Sequence, residues 1–123
     1  MNWKYLCDTS DIASNSLKLV DVDGIRIVVA NYGEGFRAMP PICPHMEEPL
    51  EESGVIASCV LTCTKHLWAW DLRNLDLIGE TEKPLKTYDL KQEGNRLYAL
   101  IEQELEYDFD EEAEDDDDFF AKA

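Results

Sequence analysis

Long apolar runs are missing from this 123-residue chain. Nothing approaches the ~18 consecutive apolar residues that a membrane-spanning helix needs, so no membrane association is expected. The opening MNWKYLCDTS has no basic segment followed by an apolar one. That predicts no secretory signal and a cytoplasmic, reducing location. Positive charge is scarce: 11 Lys and Arg stand against 27 Asp and Glu, for a formal net charge of −16. Such a balance repels phosphate backbones, which excludes nucleic acid as a partner and favours a basic patch on another protein. Cysteine is sparse as well, with four residues at 7, 43, 59 and 63. In a reducing compartment these do not suggest a disulfide framework. Only Cys43 and Cys63 lie beside histidines, and metal binding is the better reading of that pair. There is no Gly-rich phosphate loop, no evident catalytic base and no mononuclear iron triad. No catalytic site is therefore expected.

What is present reads as one domain of short antiparallel strands. SLKLVDVDGIRIVVANY alternates apolar and polar residues on either side of Asp23-Gly24, a strong signal for a two-residue hairpin turn. TYDLKQEGNRLYALI repeats the design around Glu93-Gly94-Asn95. Short strands are expected at GFRAM and along VIASCVLTC. No helical periodicity longer than about two turns stands out before the acidic tail. Residues 102–123 carry 12 acids and one lysine, which leaves a net charge of only −5 on residues 1–101. The low-complexity run DFDEEAEDDDD cannot bury apolar surface, so residues 105–123 are expected to be an acidic, disordered tail. A docking element for a basic partner, anchored by Phe119 and Phe120, is the alternative.

Two compact boxes carry the chemistry: Cys43-Pro44-His45 and Cys63-Thr64-Lys65-His66, with 17 residues between His45 and Cys63. Each offers one thiolate and one imidazole from a tight loop. Together they make a two-sulfur, two-nitrogen ligand set. A tetrahedral structural zinc fits that set. So does a [2Fe–2S] cluster with histidines on one of its irons. The one-residue gap of Cys-Pro-His is cramped for chelating a single ion and suits a bridged pair better. The strand-forming sequence on both sides also gives the chain a core of its own, which most zinc modules lack. Cys7 reads as a buried thiol and Cys59 as a structural residue, neither of them a ligand.

CPHMEEPL and CTKHLWAWDL resemble the Cys-x-His and Cys-x-x-His ligand boxes of Rieske proteins. Gly54, Pro84 and the closing hairpin YDLKQEGNRLYAL also sit where Rieske domains have them. The resemblance implies an all-β fold: a small antiparallel Rieske domain of stacked sheets with a cluster-binding loop subdomain. The domain would span residues 1–104, with cluster-binding loops at about 40–50 and 60–72. It further implies a Rieske-type [2Fe–2S] cluster bound by Cys43 and Cys63 on one iron and His45 and His66 on the other. Pro44, Met46, Leu67 and Trp68 would form a rim for partner docking, with Trp68 either facing a partner or shielding the cluster. Trp70 reads as core.

Histidine ligation leaves an oxidised cluster near neutral instead of negative, which eases reduction; Rieske centres span about −150 to +300 mV. High-potential members tie the two loops with a disulfide, but the corresponding positions here are Glu48 and Lys65. They also supply Ser and Tyr hydroxyls where this chain has Trp68 and Trp70. Fewer donors, with Glu47, Glu48, Glu51 and Glu52 nearby, predict a low-potential ferredoxin. HLWAW is most similar to the second box in ferredoxins of multicomponent toluene and alkene monooxygenases. That implies a monomeric shuttle in aromatic-hydrocarbon or alkene catabolism. It would take one electron from an NADH-dependent flavin and iron–sulfur reductase and deliver it to a terminal diiron hydroxylase. The alternatives are the ferredoxin of a Rieske ring-hydroxylating dioxygenase, the small Rieske-type subunit of a nitrite reductase, and a zinc-stabilised interaction module.

Overall fold

A computed structural model describes residues 3–107 except 45 and 66. Twelve antiparallel strands, one 3-10 turn (Thr9–Asp11) and one α-helical turn follow in order: β1 (Trp3–Asp8), the 3-10 turn, β2 (Ser16–Val22), β3 (Ile25–Asn31), β4 (Phe36–Met39), β5 (Ile42–Cys43), β6 (Met46–Pro49), α1 (Leu50–Ser53), β7 (Gly54–Ala57), β8 (Val60–Cys63), β9 (Ala69–Asp71), β10 (Leu77–Ile78), β11 (Asp89–Glu93) and β12 (Arg96–Leu100). They form sheets ordered β1-β12-β11, β2-β3-β4 and β10-β9-β8-β7, with β5 and β6 paired on their own. The all-β expectation holds. No helix among the described residues is long and apolar enough to cross a membrane.

Asp23 and Gly24 both take positive φ, 54° and 85°, and Val22 pairs with Ile25 across the two-residue turn the sequence predicted. VIASCVLTC behaves differently from the single strand expected of it. It folds back on itself: Ser58 and Cys59 take φ of 52° and 65°, and Ala57 pairs with Val60 to make a β7–β8 hairpin. Positive φ is unfavourable for such residues. Two bonds at Cys59 help to hold the turn. Its carbonyl accepts the Leu72 N–H at 2.7 Å, and its thiol lies 3.6 Å from the Tyr32 carbonyl as donor.

The alternation expected for β3 gives way after Arg26 to the continuous apolar run Ile27-Val28-Val29-Ala30, all fully buried. Successive side chains on a strand point to opposite faces. Val28 and Ala30 accordingly join one core, with Met39, Leu50, Leu61, Trp70 and Leu72, while Ile27 and Val29 join another, with Leu6, Val22, Ala38 and Leu97. β3 is the wall between the two. Cys7 sits in the second core, where burial pushes its thiol up to about 11.

Gly54 is required by space. A Cβ there would lie 2.7 Å from the Leu50 carbonyl oxygen, 2.9 Å from Leu17 Cδ1 and 3.1 Å from Leu61 Cδ1. Here α1 ends against β2, and Gly54 opens β7 opposite Cys63, at the entry to the second Cys/His box. Packing also continues beyond residue 104. Leu105 is half-buried against the second core, and Tyr107 is half-buried as well.

Candidate metal centre

Cys43 ends β5 and Cys63 ends β8, and both thiols are fully buried in the first core with Leu50, Trp68, Trp70 and Leu85. None of the four cysteines is in a disulfide. Two separate loops thus deliver two sulfur donors to one packed region, from strand ends fixed by the β5–β6 and β7–β8 hairpins. Cys59, at the turn of the second hairpin, lies about four strand residues from Cys63, roughly 13 Å along the chain. Cys7 belongs to the other core. Neither joins the pair.

The second loop is closed on itself. The Cys63 N–H donates to the Trp68 carbonyl at 2.8 Å, and the Leu67 N–H donates to the Cys63 carbonyl at 2.7 Å. Leu67 takes φ of 63° to complete the bend. It projects its side chain outward with 72% exposure, whereas Trp68 turns inward and is only 8% exposed. That corrects the partner-facing reading of Trp68: its indole is part of the apolar wall beside the thiols. Pro44 is also fully buried, so among the described side chains of the expected docking rim Leu67 is the one that presents apolar surface. The side chain of Met46, like that of Glu47, lies outside the described set, as do His45 and His66.

The loops are joined by a polar strap that sequence reasoning missed. The Ser53 hydroxyl donates to the Glu48 carboxylate in a short contact. The Ser53 carbonyl accepts both the Thr64 N–H at 2.9 Å and the Thr64 hydroxyl at 2.7 Å. Glu48 belongs to the first loop and Thr64 to the second, so the bonds run close to where a disulfide would otherwise connect positions 48 and 65. Ser53 is one of two buried polar residues in the described chain, the other being Thr81. An Oγ in a buried, carboxylate-facing position was the only available hint, and it needs the fold to be seen.

A third segment backs the site. Trp70 is fully buried and its Nε1–H donates to the Lys83 carbonyl at 2.9 Å. The Thr81 hydroxyl accepts the Ala69 N–H at 2.7 Å and donates to the Ile78 carbonyl at 2.6 Å. These bonds set residues 81–85 against β9 and place Leu85 in the thiol core.

Buried thiols on hairpin ends, an apolar wall and two loops tied together are what a cluster with thiolate ligands requires. The donor set fits the group. The Rieske [2Fe-2S] domain model matches residues 2–89. The chain belongs to the Rieske [2Fe-2S] family. It is 72% identical, over 123 residues and the whole of both chains, to the ferredoxin subunit of methanesulfonate monooxygenase from Methylosulfonomonas methylovora. It is 26% identical over 92 residues, 75% of each chain, to the ferredoxin component of the alkene monooxygenase system of Xanthobacter autotrophicus. Among solved structures, the ferredoxin of carbazole 1,9a-dioxygenase from Nocardioides aromaticivorans IC177 superposes with a TM-score of 0.69. That match has 22% identity and covers 80% of this chain and 97% of the other. This Rieske protein is an electron-carrying ferredoxin with a Rieske-type [2Fe–2S] cluster, a component of a multicomponent monooxygenase rather than a catalyst.

Proposed function

We propose that this ferredoxin serves a monooxygenase acting on a small alkanesulfonate, receiving one electron from an NADH-dependent reductase and passing it to the terminal hydroxylase. The full-length, 72% identity to the methanesulfonate monooxygenase ferredoxin subunit carries that reading. A cytoplasmic location accords with four unbridged cysteines. In this assignment Cys43 and Cys63 hold one iron, and His45 and His66 hold the other. The Rieske domain is drawn from the N-terminus through Tyr107, with the acidic tail after it.

When bound, the cluster supplies a site that accepts and releases one electron. The chain's residues do the rest. Trp68, Pro44 and Leu50 keep water from the thiolate side. The Glu48–Ser53–Thr64 strap fixes the two loops relative to each other, which limits reorganisation between charge states. Exposed Leu67, one residue past His66 in sequence, gives an apolar contact for a partner. The net charge of −16 attracts a basic partner at long range.

Stopped-flow mixing tests the proposal. The chemically reduced ferredoxin is mixed with the oxidised terminal component of methanesulfonate monooxygenase. It should be reoxidised with one electron transferred per chain, at a rate that falls as salt is raised. Reoxidation no faster than in buffer alone would contradict the partnership.

A further inference from the structure

In the β7–β8 hairpin Val55 pairs with Thr62 and Ala57 with Val60. Farther across the sheet Val60 pairs with Asp71, Thr62 with Ala69, and Ala69 with Ile78. Residues paired across an antiparallel ladder share a face. One face therefore carries Ile56, Leu61, Cys63 and Trp70, all buried in the thiol core. The opposite face carries Val55, Ala57, Val60, Thr62 and Ile78. Val55 is 52% exposed, Ala57 is exposed as well, and the other three are half-buried. Asp71 adds a charge at the corner of this face, and its carboxylate is held by Arg73 at 2.9 Å.

A sheet with one side on a core and the other in water alternates apolar and polar residues, whereas a continuous apolar strand belongs to a sheet covered on both sides. Val55-Ile56-Ala57 and Val60-Leu61 have the second pattern, yet one of their sides lies open. The β1-β12-β11 sheet follows the first pattern: Asp8, Arg96 and Glu93 line up across its three strands. Position and charge point to what covers the open face. Thr62 directly precedes Cys63, so the face begins at the second Cys/His box. The loop of that box also presents Leu67, 72% exposed at a φ of 63°, where leucine is unfavourable. Leu75, also at positive φ, packs against the first core in return. Exposed Leu67 gains no comparable burial within the chain. A second copy would bring −16 against −16, so repulsion opposes self-association, while a basic protein meets no such barrier.

We propose that the outer face of β7 and β8, centred on Val55 and Val60, is a docking surface for the terminal oxygenase component, continuous with Leu67 and covered by an apolar patch of that partner. The proposal deepens the functional reading above and rests on its choice of acceptor. Long-range charge brings the two proteins together, and the uncharged face holds them, because burying it desolvates no ionised group apart from the paired Asp71.

The test uses full-length, cluster-loaded protein and the terminal component of methanesulfonate monooxygenase. In the double variant Val55→Thr/Val60→Thr each residue keeps its shape and β-branching, exchanges a methyl for a hydroxyl and leaves net charge unchanged. The half-saturating concentration for reoxidation should rise about tenfold. The limiting rate, the reduction potential and the melting temperature should stay at wild-type values. The ratio of variant to wild type should be the same at low and high salt, since the lost contact is not ionic. Leu77→Gln alters a 42% exposed residue on the opposite face of the same sheet and should leave half-saturation unchanged. Wild-type half-saturation in the double variant would overturn the proposal, as would an equal loss in Leu77→Gln. A lower melting temperature in the double variant would show the face already covered within the chain, and wild-type dimers that the double variant abolishes would show a second copy on it; either overturns the proposal. A wild-type protein that the terminal component does not reoxidise would overturn the choice of acceptor, and this proposal with it.

Discussion

Replacing either His45 or His66 with alanine should abolish the Rieske-type absorption and electron paramagnetic resonance signature, with iron content falling toward zero. The expectation follows from charge and coordination together. Two thiolates balance the oxidised cluster core, and two neutral imidazoles complete one iron without adding charge. A methyl group in place of an imidazole leaves that iron with a missing ligand in a loop whose neighbours offer no equivalent nitrogen. These two are the only histidines in the chain, so neither has a substitute. Cysteine at either position is the informative contrast: it can ligate, but it adds a negative charge and should yield a cluster that is harder to reduce. A fully iron-loaded alanine variant with an unchanged spectrum would contradict the assignment of that histidine.

The second large effect is expected at Trp70. Its side chain is fully buried between the thiols and residues 81–85, and truncating a buried tryptophan to alanine typically removes about 3–5 kcal/mol. Domains of this size lose roughly 4–8 °C of melting temperature per kcal/mol. The alanine variant should therefore melt at least about 12 °C below wild type and shed its cluster at lower temperature. Trp70→Phe keeps most of the volume and loses the Nε1–H bond to the Lys83 carbonyl, which is worth about 1 kcal/mol. Its melting temperature should fall by only a few degrees. An alanine variant as stable as the phenylalanine one would show that this tryptophan does not hold the site together.

Where the sequence was legible, the physics was local. Asp23-Gly24 announces its turn because both residues tolerate positive φ, and the structure has the turn there. The two Cys/His boxes are equally local: spacing and residue type alone singled out Cys43 and Cys63, which the fold buries in one core. Illegible features depend on distant contacts. Ser58-Cys59 turns a hairpin in the middle of an apolar run because Leu72 and Tyr32 hold it, and neither is near in sequence. Trp68 has the same residue type whether it faces a partner or the core; only the closed loop from Cys63 to Trp68 decides. The strap through Ser53 joins three segments, none of which signals the other two. Leu105 and Tyr107 were hidden by the acids around them, since composition averages over a few apolar anchors in a charged stretch. Phe119 and Phe120, and the rest of the run from residue 108 onward, lie outside the described residues. The organic substrate could not be read from the chain at all, because an electron carrier makes no contact with it; the sulfonate comes from a relative's identity, not from any residue here.

The measurement that bears most directly on the whole account is metal and sulfide analysis of freshly isolated protein. Two irons and two acid-labile sulfides per chain are predicted for a Rieske-type cluster. One zinc per chain with no sulfide would mean that Cys43 and Cys63 anchor a structural ion, and electron carriage would be ruled out.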